Sequence, residues 1–288
     1  MFAFSLAILA GLSSAGEIAA VVDPRVEAMC IVFRLAGNPE YARTAPGSKY
    51  VAAALEHFEP FKKHAAVKLA AELRRKSGIS FDAPMSLAVH LEDVASAKLR
   101  VPLDPWPATL DRRWTTKSAP EFAAALADFV RESDFDGFMK KHAPLQRASA
   151  ERLHAALRRR PFLSWLDEFY GPKPKGGFVA IVGMMAGPNN YGVSAKLADG
   201  THELSPVLGV ASVDAAGLPV FGGGIDGLII HEFSHAYVNP LVDANIEKLA
   251  AAGEKLFKLR ERAFRQQAYG DARTVLYESL VRACETKI

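Results

Sequence analysis

An α+β fold is what this 288-residue sequence predicts, with helices first, a small mixed sheet next and helices again at the end. Three observations predict it. From about Pro24 to Tyr170, apolar residues recur every three or four positions. At "YGPKPKGG", residues 170–177, the pattern gives way to a stretch rich in Val, Gly and Ala and broken by turn dipeptides. Helical spacing then returns from residue 226 to the C-terminus.

The elements follow in chain order. Residues 1–20, "MFAFSLAILAGLSSAGEIAA", carry no charged side chain before Glu17, and their apolar run is short for a membrane span. Ser13 and Ala15 have the small-residue spacing of a signal-peptidase site, although no Lys or Arg stands near the start. The expectation is export to the periplasm or beyond, with a cytoplasmic protein as the alternative. Residues 21–170 form a mainly helical part. Within it, Ser118, Pro120 and Glu121 open a helix, "VPLDPWPATLDRRW" is a loop, and Arg158–Arg160 make a solvated helix end.

Residues 171–288 are expected to form the catalytic part, in one continuous unit with the helices before it. Its strands fall within 177–221, and "GFVAIVGMMA" is the predicted edge strand, able to pair with an extended peptide. A helix over 226–238 is closed by Asn239-Pro240, because the residue before proline is pushed out of the helical region. An amphipathic stretch covers about 243–268. A last helix spans 271–287, with Asp271 as its cap.

Composition narrows the function. Half of the residues are hydrophobic, 23% are charged and the net charge is +3, which provides no broad attraction to nucleic acid or anionic lipid. Cys30 and Cys284 lack the close spacing of a zinc finger or a disulfide scaffold. They are either a bridge between the chain's ends or two free thiols.

The chemistry concentrates in "LIIHEFSHAYVNP", residues 228–240. His231 and His235 are four apart, so on a helix they share a face and their imidazoles can converge on one Zn2+ ion. Glu232, about 100° further round, reaches a zinc-activated water from outside the ligand set and serves as general base. A buried helix seldom holds two histidines and a carboxylate without partners for them.

Catalytic zinc takes a third protein ligand. The longer metzincin pattern would put it at Leu241 with glycine at Val238, so that pattern is excluded. A downstream carboxylate remains. Glu247, Glu254 and Glu261 have the basic neighbours of a solvated face, whereas "TVLYESLVRA" surrounds Glu278 with apolar residues. Arg282, one turn on, leaves open a purely structural Glu278–Arg282 pair, and Glu285 is the weaker substitute ligand.

"HEFSH" followed at a distance by "YESLVRA" resembles the gluzincin branch of zinc metallopeptidases. With "DPRVEAMCIVFRLAGNPEY", "HFEPFKKHAAV" and "NNYG", the pattern from about residue 23 onward is similar to a bacterial family catalogued as domain of unknown function 4932. The resemblance implies a zincin-like fold, ligands at His231, His235 and Glu278, and Glu232 as base. Many gluzincins draw the donor that steadies the tetrahedral intermediate from beyond the third ligand, but here only ten residues follow Glu278. Tyr191, in "GPNNYG", is the candidate donor to the oxyanion, against packing beside a hairpin. Tyr237 and Tyr277 are expected in the core. His57 and His64, separated by Pro60, are expected to be surface or capping residues, and His90, His142, His154 and His202 stand alone. The expected function is a zinc metallopeptidase acting on a peptide or protein substrate; the alternative is an inactive, zinc-stabilised peptide-binding protein.

Overall fold

The computed structural model describes residues 18–159, 162–171, 176–222, 224–266 and 269–287. Residues 1–17, which carry most of the predicted export signal, lie outside them. The chain forms two compact units: Met1–Arg160 with Lys175–Gly222, and Pro161–Pro174 with Gly223–Ile288.

The first unit is an α+β assembly. Its elements in order are β1 (Ala19–Val21), α1 (Pro24–Leu35), α2 (Pro39–Ala42), α3 (Lys49–Phe58), α4 (Ala65–Ser77), α5 (Asp82–His90), α6 (Ser118–Glu132) and α7 (Phe135–Leu157). In the second unit, α8 (Phe162–Tyr170) comes next in the chain. The first unit then resumes with β2 (Gly176–Gly183), β3 (Asn190–Tyr191), β4 (Ser194–Lys196), β5 (His202–Leu204) and β6 (Val207–Gly209).

Helix α1 is the axis of that unit. Its run "PRVEAMCIVFRL" is buried on nearly every side, so the whole circumference packs rather than one stripe. Pro24 sits where a missing N–H costs nothing, and the Asp23 side chain accepts from the Arg25 backbone N–H at 2.8 Å. Phe33, Phe58, Phe122, Phe129, Phe135 and Phe138 supply the aromatic core around it.

The six-stranded sheet is mixed, in the order β3-β6-β2-β5-β4, with β1 also on β2. Strands β1, β5 and β6 run parallel to β2, while β3 and β4 are antiparallel additions. The predicted edge strand is therefore interior: Ile181 of β2 has Val21 on one side and Val207 on the other. The cause is legible in "FVAIVG", a continuous apolar run of the kind that parallel strands buried on both faces carry, where an edge strand would alternate. The parallel pairing of β1 with β2, about 160 residues apart in sequence, ties the sheet to the helices that precede it.

The second unit is helical. After α8 it contains α9 (Ile225–Ala244), α10 (Ile246–Leu259), α11 (Glu261–Gln266) and α12 (Ala272–Glu285). Helix α9 does not stop at Asn239 as predicted but runs through Pro240. Tertiary packing overrides the local preference here. Val238 and Val242, one turn apart on either side of the proline, are buried against Leu276 and Val281 of α12. Gly253 lets α10 come close to α12, since a Cβ there would stand 2.8 Å from Leu276 Cδ1. Asp271 caps α12 as expected, accepting from the Thr274 N–H at 2.8 Å. Among the described residues, no helix is long and apolar enough to cross a membrane.

Candidate metal centre

The seam between α9 and α12 builds the site. His231, His235, Val238 and Val242 follow a helical stripe along α9, and Glu278, Val281 and Glu285 follow one along α12. The valines pack in the middle of the seam. Where the stripes turn polar, His231 meets Glu285 and both histidines meet Glu278, as two helices running antiparallel require.

His231, His235 and Glu278 offer one ligand atom each within a common 4.8 Å span. The two Nε2 atoms are 3.2 Å apart. Glu278 Oε1 is 3.4 Å from His235 Nε2, and Oε2 is 3.6 Å from His231 Nε2. Zinc–ligand bonds of about 2.0–2.1 Å at tetrahedral angles would separate ligand atoms by about 3.3–3.4 Å, so the nearest approaches of the three groups suit such an ion, each imidazole meeting a different Glu278 oxygen. Side-chain exposures of 14%, 19% and 17% leave the cluster desolvated on most sides yet open on one.

The outward nitrogens are also engaged. His231 Nδ1 pairs with Glu285, and His235 Nδ1 lies 3.1 Å from Asn239 Oδ1. An acceptor at Nδ1 fixes the proton there and turns the Nε2 lone pair inward. Two lone pairs and a carboxylate then face one another, an arrangement that calls for a shared cation. Although burial opposes it, Glu278 and Asn239 raise the pKa of His235; burial likewise works against Glu278, whose pKa His235 nonetheless lowers. Burial pushes the Glu232 carboxyl above the usual range, outweighing the pull of His235 and His231.

The structure thus brings together three of the residues singled out in sequence and gives others different places. Glu285 is not a substitute ligand but the partner of His231 on the far side of its ring. The alternative Glu278–Arg282 pair is only a 3.8 Å contact to an Arg282 side chain that is 58% exposed, too long and too wet to explain the buried carboxylate. Glu247, Glu254 and Glu261 are exposed as expected. Tyr191 lies in the first unit on β3, 5% exposed, its ring centroid 6.1 Å from that of Tyr41 and its hydroxyl buried. That is the setting of a packing tyrosine.

Tyr237 is a core residue, stacked on Tyr170 at 4.8 Å. Tyr277 is not: it is partly exposed and joins Asp243 and Arg273 at the other end of the seam, with Arg273 Nε 2.8 Å from Asp243 Oδ1. His64 caps α4, accepting from the Ala66 N–H at 3.1 Å, and His90 bonds within the core to the Ser86 carbonyl oxygen at 2.7 Å. Cys30 and Cys284 are free thiols.

Two participants escaped the sequence reading. Asn239 does not end the helix, and its place four residues after His235 and eight after His231 puts all three on one face. Tyr269, whose hydroxyl donates to Glu278 Oε2 at 2.9 Å, comes from the loop before α12, where no periodicity could indicate it. No curated protein and no solved structure matches the chain. A family model described as Domain of unknown function (DUF4932) matches residues 18–288, covering the described parts of both units and every residue of the cluster, and the chain belongs to that family.

Proposed function

We propose that the protein is a zinc-dependent metallopeptidase with His231, His235 and Glu278 as ligands. The observation that carries this reading is the inward convergence of both Nε2 atoms on Glu278, with Glu285 and Asn239 holding the outward nitrogens. A buried structural cluster would have no need to aim three acceptors at one point. Zinc, when bound, polarises the scissile carbonyl and lowers the pKa of its water. His231 and His235 would hold it through neutral imidazoles and Glu278 through its negative charge. Glu232, one residue from His231 but outside the ligand set, takes the proton from the attacking water and delivers it to the leaving amine. The resemblance to gluzincins supports the same assignment of roles.

The test is zinc content and peptide hydrolysis measured together. The parent should hold about one zinc per chain after reconstitution and cleave a broad peptide library, whereas His235→Ala and Glu278→Ala should hold far less. Glu232→Gln should keep the zinc and lose about 10²–10⁴-fold in turnover. A parent with no zinc would overturn the metal assignment. A zinc-loaded parent that binds peptides and cuts none would leave a binding protein in place of a peptidase.

A further inference from the structure

Glu278 is gripped from outside as well as from within the cluster. The Tyr269 hydroxyl donates to Glu278 Oε2 at 2.9 Å. Arg282 donates in turn from Nη2 to the Tyr269 oxygen at 3.2 Å, and the same group lies 3.8 Å from Glu278 Oε2. Tyr269 is itself fixed: its backbone N–H donates to the Phe264 carbonyl at 2.9 Å, and its ring lies 6.2 Å from that of Phe264, centroid to centroid. Each carboxylate oxygen faces one imidazole: Oε1 lies 3.4 Å from His235 Nε2, and Oε2, which also carries the outer hydrogen bond, lies 3.6 Å from His231 Nε2.

We propose that Tyr269, backed by Arg282, is a positioning residue that holds the Glu278 carboxylate facing the two histidines. This inference rests on the zinc reading above. A glutamate side chain has several rotatable bonds, and a hydrogen bond from a phenol to its charged oxygen fixes one of the orientations it could take; Arg282 strengthens the phenol as a donor by polarising it. Ligating carboxylates are commonly held this way by an outer partner, and losing such a partner costs about 10–100-fold in metal affinity or activity.

The test compares Tyr269→Phe and Arg282→Gln with the parent. Phenylalanine keeps the ring against Phe264 and the backbone hydrogen bond, removing only the hydroxyl. Zinc affinity is read by chelator competition, and the arrangement of the ligands by the visible spectrum of the Co2+-substituted protein. Tyr269→Phe should weaken zinc binding about 10–100-fold and alter the Co2+ spectrum, with Arg282→Gln moving both the same way by less. A parental zinc affinity and Co2+ spectrum in Tyr269→Phe would overturn the inference, including the case where turnover alone is lost, since the hydroxyl would then act on substrate. Should Tyr269→Phe fail to fold, parental values in Arg282→Gln, a change at an exposed side chain, decide against it. If the parent takes up no zinc, it is the zinc reading that fails.

Discussion

At the scale of single residues, the proposed zinc site would depend on side chains outside its ligand set. Glu285 is the clearest. Its carboxylate pairs with His231 Nδ1, the nitrogen turned away from His235, and so decides which nitrogen presents its lone pair inward. Glu285→Ala should therefore weaken zinc binding about 10–100-fold although no ligand is lost. Glu285→Gln, which still offers an acceptor oxygen, should weaken it less. Chelator competition on the two variants checks the order, and equal losses would show that the charge rather than the hydrogen bond matters. His231, His235, Glu232 and Glu278 were legible because helical spacing and an apolar setting are local properties. Glu285, Asn239 and Tyr269 took on their roles only when two helices were set side by side.

At the scale of elements, what matters is the α9–α12 seam. Two kinds of contact hold it: the apolar cluster of Val238, Val242, Leu276 and Val281, and the polar group of Asp243, Arg273 and Tyr277. They should not be of equal worth. Leu276 is 5% exposed, and Leu276→Ala should cost about 2–5 kcal/mol of stability and reduce zinc uptake with it, since Glu278 lies two residues further along α12. The Arg273 and Asp243 side chains are about half exposed, at 54% and 41%, and Asp243→Ala should cost about 1 kcal/mol or less. Urea denaturation of the two variants, with zinc content, gives the comparison. The same cluster accounts for the helix that continues past Pro240, where the sequence signal for a stop was local and the reason to continue was a core 36 residues away in sequence.

At the scale of the whole molecule, Glu27 ties distant parts of the first unit together. It sits on the fully packed α1, completely buried, and accepts from the Met184 N–H at 2.8 Å and the Met185 N–H at 3.4 Å, just past the end of β2. Burial pushes its pKa up to about 8, opposed only in part by these bonds. A carboxyl whose pKa is raised in the folded state contributes stability that is fully present below its unfolded value of about 4.5. That contribution is lost as pH rises toward about 8. The denaturation midpoint should therefore fall between those pH values, and Glu27→Gln should flatten the slope. An unchanged slope in the variant would assign it to other groups. Nothing in "PRVEAMCIVFRL" marks Glu27 as different from a solvent-facing charge on one helix; its burial follows from α1 being enclosed on all sides.

By itself, the sequence determined the succession of helices and strands, the cap at Asp271, and the pair of histidines on one face with a glutamate beside them. Each of these depends on neighbours within a turn or two, which backbone geometry places without help from the rest of the chain. Only the tertiary structure decided that β2 is interior, that α9 outlasts its proline, and that Glu285 backs His231 from the far side of its ring. Those outcomes depend on parallel pairing and helix packing between segments tens to hundreds of residues apart, where burial outweighs local preference and chain distance carries no signal.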